Sequence, residues 1–303
     1  MKKFILFISL FVFAFNARST GGYDIRINLK GCSDSMVYLV GYRWDQQFVV
    51  DTCKNFKNGQ IVFKGNKDLD KGMYILVSQA TAVIFEFFVN DSQKFTVNGD
   101  ISNPTGDLSV VGSKDNELFF TYLKYVGAKN NDFAKVMEQA KGKNKEDSTK
   151  FVTEKVRNFS AEAKKFDEEY MQKVKGTFVY DFMNLKTEKE PASVPKASNG
   201  RPDSIYSYYY YKNHFFDGID FKDDRILRTP LFDDRIKSYF DRVILMHPDT
   251  MIKEIDKLLA KCDTSTMIYK QLVGYFTYKS EQSKLIGFDK VFVHMGDTYI
   301  MSG

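Results

Sequence analysis

From Tyr23 to about Val111 apolar and polar residues alternate, and turn residues separate the runs. The segments "YDIRINLKG", "MVYLVGYRW", "QFVVDTC", "GQIVFKG", "GMYILVS", "VIFEFFVN" and "KFTVNGD" read as about seven strands rich in Val, Ile, Phe and Tyr. Successive side chains of a strand point to opposite faces, so a period of two marks a half-buried sheet. Even spacing and short connections predict an antiparallel β-sandwich or partly open barrel over residues 20–112. The segment "SNPTGDLSVVGSKDN" then changes the texture.

After Asp115 the period becomes helical. Phe151, Val152, Val156, Phe159, Ala163, Phe166, Tyr170 and Val174 recur at steps of three and four with Lys and Glu between them. That spacing predicts a long helix over 146–175 with one face packed inward. Shorter helices are expected at about 116–126, 131–141, 177–187, 204–213, 233–246, 249–261, 265–280 and 287–300. "KTEKEPASVPKASNGRPD" holds three of the six prolines and no apolar pattern, which predicts an exposed loop over about 186–203. The expected fold class is therefore α+β, with an all-helical domain over 113–303 behind the β domain.

The stretch "SIYSYYYYKNHFFDGIDF", Ser204–Phe221, is the densest chemistry in the chain, with nine of eighteen residues aromatic or histidine. On a helix, Tyr208 to Tyr211 step round the axis at about 100° per residue and do not form one flat face. Ile205, Tyr209 and Lys212 share one stripe, Tyr206 and Tyr210 another, so the helix is expected to pack on two sides. The favoured expectation makes Tyr209 and Phe215 buried anchors of the helical domain; the competing one makes the stretch a ligand surface.

Composition narrows the function classes. The 44 basic and 39 acidic residues are mixed along the chain and leave a net charge of +5, which gives no electrostatic reason for a nucleic-acid partner. The start, "MKKFILFISLFVFAFNARS", has two lysines, an apolar run from Phe4 to Phe15 and then small residues. It reads as a secretory signal peptide over 1–19, with cleavage after Ser19 or after Ala17. No cysteine follows either point for lipid attachment, and no later stretch is long and apolar enough to span a bilayer. The expected location is periplasmic or otherwise extracytoplasmic.

Three cysteines, Cys32, Cys53 and Cys262, stand far apart, without the closely spaced pairs that a dithiol redox centre or a thiolate zinc site uses. If the first three strands form a meander, Cys32 and Cys53 end on strands flanking a middle one, about 10 Å apart. A disulfide needs alpha carbons within about 7 Å, so free thiols are the simpler expectation and pairing stays open. His214 and Asp217, with Asp220, Asp223 and Asp224, make an acidic loop, but "DGIDFKDDR" lacks the oxygen spacing of a calcium loop. Helix capping and pairing with Arg225, Arg228 or Arg235 are the expected roles, and His247 before Pro248 reads as a helix end. His214, His247 and His294 are too scattered to suggest zinc. Tyr42, Trp44 and Phe48 would form a small exposed aromatic patch if they are not core. With no nucleophile elbow or phosphate-cradling glycine loop, neither a catalytic residue nor a cofactor is assigned; the candidate interaction surface is Tyr42, Trp44, Tyr209, His214 and Asp217.

"YYYYKNHFFDGIDFKDDRILRTPLFDDRIKSYFDRVI" resembles the signature of a helical domain of unknown function in secreted proteins of anaerobic gut bacteria, and "EQSKLIGFDKVFVHMGDTYIMSG" resembles its last helices. "INLKGCSDSMVYLVGYRWDQQFVVDTCKNFKNGQIVFKG" resembles the small β domain that precedes it. In such proteins the chemistry belongs to a downstream thioredoxin-like domain of the redoxin or alkyl hydroperoxide reductase/thiol-specific antioxidant type, with its C-x-x-C. No position here corresponds to a redox cysteine, so the resemblance implies a non-catalytic front region of an exported thiol:disulfide oxidoreductase, without the redox domain. Its implied partner is that downstream domain, or an exported protein or peptide. The alternative is a binding module for a peptide, glycan or envelope partner with no redox role.

Overall fold

The computed structural model describes residues 21–301, so the expected signal peptide over 1–19 lies outside the described residues. All seven anticipated strands are present: β1 Tyr23–Lys30, β2 Met36–Arg43, β3 Gln46–Lys54, β4 Gln60–Gly65, β5 Gly72–Ser78, β6 Val83–Val89 and β7 Lys94–Asp100. An eighth, β8 Ser109–Val111, lies inside the segment where the alternation fades; three residues are too few to show a period.

The strands form two four-stranded sheets, β4-β1-β7-β8 and β3-β2-β5-β6. All pairings are antiparallel except β1 with β7, which run parallel from Asp24 opposite Lys94 to Lys30 opposite Asp100. In β1, Ile25, Ile27 and Leu29 are buried while Arg26, Asn28 and Lys30 face out, the alternation of a sheet wet on one side. The two sheets meet at contacts such as Phe87 on β6 against Phe95 on β7, ring centroids 5.8 Å apart.

Strands β5 and β6 read as nearly continuous apolar runs because both of their faces are covered. Phe88 points away from the sandwich to Phe119 at 4.8 Å and to Phe178 and Phe182 at 5.3 Å, all three on helices. Sheet, sheet and helices therefore make three layers, and the β and helical regions share one hydrophobic core. Trp44, in the β2–β3 turn at φ 55°, fastens them again: its backbone N–H donates to the Leu227 carbonyl at 2.9 Å, and its ring packs on Phe232 and Tyr275.

Eight α-helices follow: α1 Lys114–Lys141, α2 Lys145–Val174, α3 Phe178–Lys186, α4 Ser204–His214, α5 Phe232–Ser238, α6 Pro248–Leu259, α7 Met267–Glu281 and α8 Asp289–Met295. The expected helices 233–246 and 287–300 end earlier as α5 and α8 and run on as five-residue π-helices, Tyr239–Val243 and Gly296–Ile300, and two others differ more. Helix α1 is continuous where two short helices were anticipated; Gly127 in its middle faces open space and leaves the backbone helical. Helix α2 does not bury its whole apolar stripe. Only Tyr170 and Val174 are buried, because most of the helix meets α1 alone, through Tyr125 on Phe166 at 3.5 Å and Phe133 on Phe159 at 6.4 Å, and α3 is a second neighbour. Among the described residues no helix is long and apolar enough to cross a membrane.

Candidate functional site

Helix α4 starts at Asp203, whose carboxylate accepts from the Ile205 and Tyr206 amides at 2.9 and 3.1 Å. That is an N-cap, and it sets the helix at the end of the proline-bearing loop. The helix buries none of its residues fully. Ser207, Tyr210, Tyr211 and His214 form a half-buried face, while Ile205 is 67% and Tyr209 55% exposed, beside exposed Tyr206 and Tyr208. This overturns the expectation that the helix packs on two sides with Tyr209 as an anchor. Phe215, one residue beyond, is 2% exposed and does hold the domain.

The exposed rings are ordered by contacts with one another. Tyr206 lies 6.2 Å from Tyr210, and Tyr210 stacks at 4.2 Å on His214, a ladder at four-residue steps. Tyr208 and Tyr209 meet edge to face at 5.2 Å. The Tyr208 hydroxyl donates to the Val243 carbonyl at 3.0 Å, which draws the segment with exposed Leu245 and Met246 alongside. Lys212, on the stripe of Ile205 and Tyr209, pairs with the buried Glu254 at 3.0 Å and ties the helix to α6. The result is an aromatic surface with polar tips, of the kind enriched at protein interfaces.

The remaining candidates fall elsewhere. Tyr42 and Trp44 are buried, so they are core and not an exposed patch; the Tyr42 hydroxyl donates to Glu86 at 2.5 Å. His214 shares a 2.6 Å hydrogen bond with Asp217 at the end of the tyrosine ladder. Asp224 accepts from the Met267 and Ile268 amides at 3.1 and 2.9 Å and so caps α7, and Asp223 engages Arg225 at 2.6 Å, the structural roles anticipated for this acidic loop. His247 caps α6. Among the described residues no cluster of His, Cys, Asp and Glu is arranged to hold a metal ion.

All three cysteines are free thiols. The meander placing Cys32 and Cys53 on one sheet does not form, because β1 belongs to the other sheet. Burial pushes the Cys262 thiol up to about 12, and burial, with the charge of Asp34 adding to it, raises Cys32 as well. A thiol is nucleophilic only as thiolate, so neither is activated at neutral pH.

One polar joint was not singled out in the sequence. Arg225 reaches from the helical region to Asn90, just past β6, at 3.0 Å, and to Asp181 on α3 at 3.3 Å, while Asn90 donates to Asp115 at 2.6 Å. Beside it the Asn116 side chain hydrogen-bonds both the amide and the carbonyl of Phe88, each at 2.7 Å. Burial raises the Asp181 carboxyl to about 6 against the opposing charge of Arg225. The only sequence signal was the "DDR" triplet, and it points to pairing without naming the partners across the fold.

Comparison with known proteins agrees with the two-part organisation. A family model described as a domain of unknown function (DUF4369) matches residues 23–119, and another so described (DUF5106) matches residues 137–303. No curated protein and no solved structure matches the chain.

Proposed function

The chain belongs to the family of the domain of unknown function DUF5106, and from that premise we propose that it is a non-catalytic recognition region of an exported thioredoxin-like thiol:disulfide oxidoreductase. It holds a polypeptide substrate for a redox domain that this sequence does not contain. The observation that carries the recognition role is the exposed tyrosine surface of α4 with Leu245 and Met246 beside it. Tyrosine offers a large apolar ring at low entropic cost and a hydroxyl for backbone groups, which suits sequence-tolerant contact with extended chains. The raised thiols of Cys32 and Cys262 support a role without disulfide chemistry of its own. The redox setting rests on the resemblance of the β and helical segments to the regions that precede thioredoxin-like domains.

A turnover assay coupled to hydrogen exchange tests the reading. With dithiothreitol as electron source, the chain alone is expected to leave insulin disulfides at the rate of a cysteine-free control. Reduced and alkylated insulin chains are expected to slow amide exchange over 205–212. Turnover above the control, or protection confined to another surface, would overturn it. The second reading, a peptide- or glycan-binding module without a redox partner, rests on the same tyrosine surface. A gene whose reading frame continues into a C-x-x-C domain excludes it.

A further inference from the structure

Beneath α4, on the side away from the exposed tyrosines, lies a cavity of about 300 Å³ between α3, α5 and the chain that follows α5. Arg235 lines it and is itself 8% exposed. Its guanidinium lies over the Phe215 ring, with its central carbon 3.8 Å from the ring centroid. Through Nη2 it donates to the carbonyls of Thr187, at 3.2 Å, and Phe215. Its Nε is buried and has no acceptor, and among the described residues no carboxylate forms an ion pair with the group. A buried cation held by neutral carbonyls, with only the charge of Glu188 opposing it and no close ion pair, has given up its hydration for little, a costly arrangement unless an anion completes it.

The rest of the lining points the same way. Arg242, exposed at the cavity, has no ion-pair partner among the described residues either. Of the carboxylates there, Glu188 already accepts from the Tyr211 hydroxyl at 3.0 Å, and Asp234 is exposed to solvent. Leu185, Leu231 and Val243 supply apolar wall. An opening of this volume sits at the small end of ligand sites.

We infer that this cavity is a binding site for a small carboxylate with an apolar body, the carboxylate meeting Arg235 and Arg242 and the body lying against Leu185, Leu231 and Val243. Guanidinium donors favour planar carboxylates, and a neutral amide offers a carbonyl acceptor without the charge or the paired oxygens. A free branched-chain acid and the C-terminal residue of a peptide share this chemistry. The site stands apart from the tyrosine surface, so its loss leaves the reading of α4 untouched.

Titration calorimetry and thermal melts of the full chain test it, with N-acetyl-leucine, isocaproate, N-acetyl-leucinamide and inorganic phosphate as probes. Both carboxylates are expected to bind and to raise the melting temperature, while the amide does neither. Arg242→Ala should weaken both acids on the order of tenfold, the effect of removing one charge-assisted hydrogen bond, and Arg235→Lys should weaken them further. Should Arg235→Lys fail to fold, Arg242→Ala alone carries the comparison, because its side chain is exposed. Tighter binding of N-acetyl-leucine than of isocaproate assigns the site to a peptide C-terminus; equal or weaker binding assigns it to a free acid. The inference is overturned if the amide binds as well as the acids, if phosphate alone binds, if Arg242→Ala leaves the acids unaffected, or if neither acid binds up to about 10 mM, the weak end of specific affinity.

Discussion

Strand β6 and helix α4 carry aromatic rings at similar density, three in the seven residues Val83–Val89 and five in the eleven residues Ser204–His214. In β6 all three are buried, and in α4 none is fully buried. The strand lies between a second sheet and a layer of helices, so each of its faces meets apolar neighbours. The helix is held along Ser207, Tyr211 and His214 and by the Lys212–Glu254 pair, which leaves Tyr206, Tyr208 and Tyr209 exposed, with hydroxyls that remain content in water. Aromatic density therefore marks buried area only where the fold supplies a wall on each side. Where it supplies one wall, the same density makes a surface.

The sharpest way to break this contrast is to truncate a ring from each class. Phe88 is fully buried between the sheet and α1 and α3, and Phe215 is nearly so, and each replaced by alanine is expected to cost about 3–5 kcal/mol. Urea unfolding measures it, and a loss below about 1 kcal/mol in both would mean that the shared core is not tightly packed.

A smaller effect is expected one layer out. Asn116→Ala leaves the amide and carbonyl of Phe88 without the two hydrogen bonds that the side chain supplies. The expected cost is about 2–3 kcal/mol, the desolvation penalty of buried unpaired backbone groups. An unchanged denaturation midpoint would show that water or a shifted strand takes over the role.

The joint between the regions also gives a pH signature. Because the folded Asp181 carboxyl is raised to about 6, the folded chain holds that proton more tightly than the unfolded chain does. Its contribution to stability is full below the unfolded value near 3.8 and is lost as pH rises through about 6. Asp181→Asn is expected to flatten the fall in stability as pH rises from the unfolded value of 3.8 through about 6. A carboxyl resonance titrating near 4 in the folded protein would contradict the burial of this joint.

Much of the fold was legible because period and burial coincide. The alternation in "YDIRINLKG" maps onto buried Ile25, Ile27 and Leu29, and the seven anticipated strands are all present. The parallel β1–β7 pair was hidden, since strand partners depend on crossovers that no local pattern records. Helix α2 shows the converse: its stripe was visible, but only the fold reveals that the core takes up Tyr170 and Val174 and leaves the rest of the stripe partly exposed against α1. At the candidate site, the sequence marked the tyrosine stretch. It misjudged the packing of Tyr209, because ring positions around an axis do not say how many neighbours approach. Arg235 was visible only as a generic partner for acids, and its unpaired burial arises from contacts between α3, α4 and α5.

The smallest expected stability change belongs to the surface itself. Tyr206→Ala and Tyr209→Ala should each leave stability within about 0.5 kcal/mol, as for other exposed positions. Binding is where they should register. The most direct measurement is therefore the binding isotherm of a reduced, alkylated insulin chain to the protein and to its Tyr206→Ala/Tyr209→Ala double variant, each shown folded by its thermal melt. If the α4 surface is the contact site, the double variant binds at least about tenfold more weakly, the equivalent of about 1.4 kcal/mol, while its melting transition stays in place. Equal affinity in the two proteins would contradict the account, and so would a variant whose weaker binding only tracks a lowered melting transition.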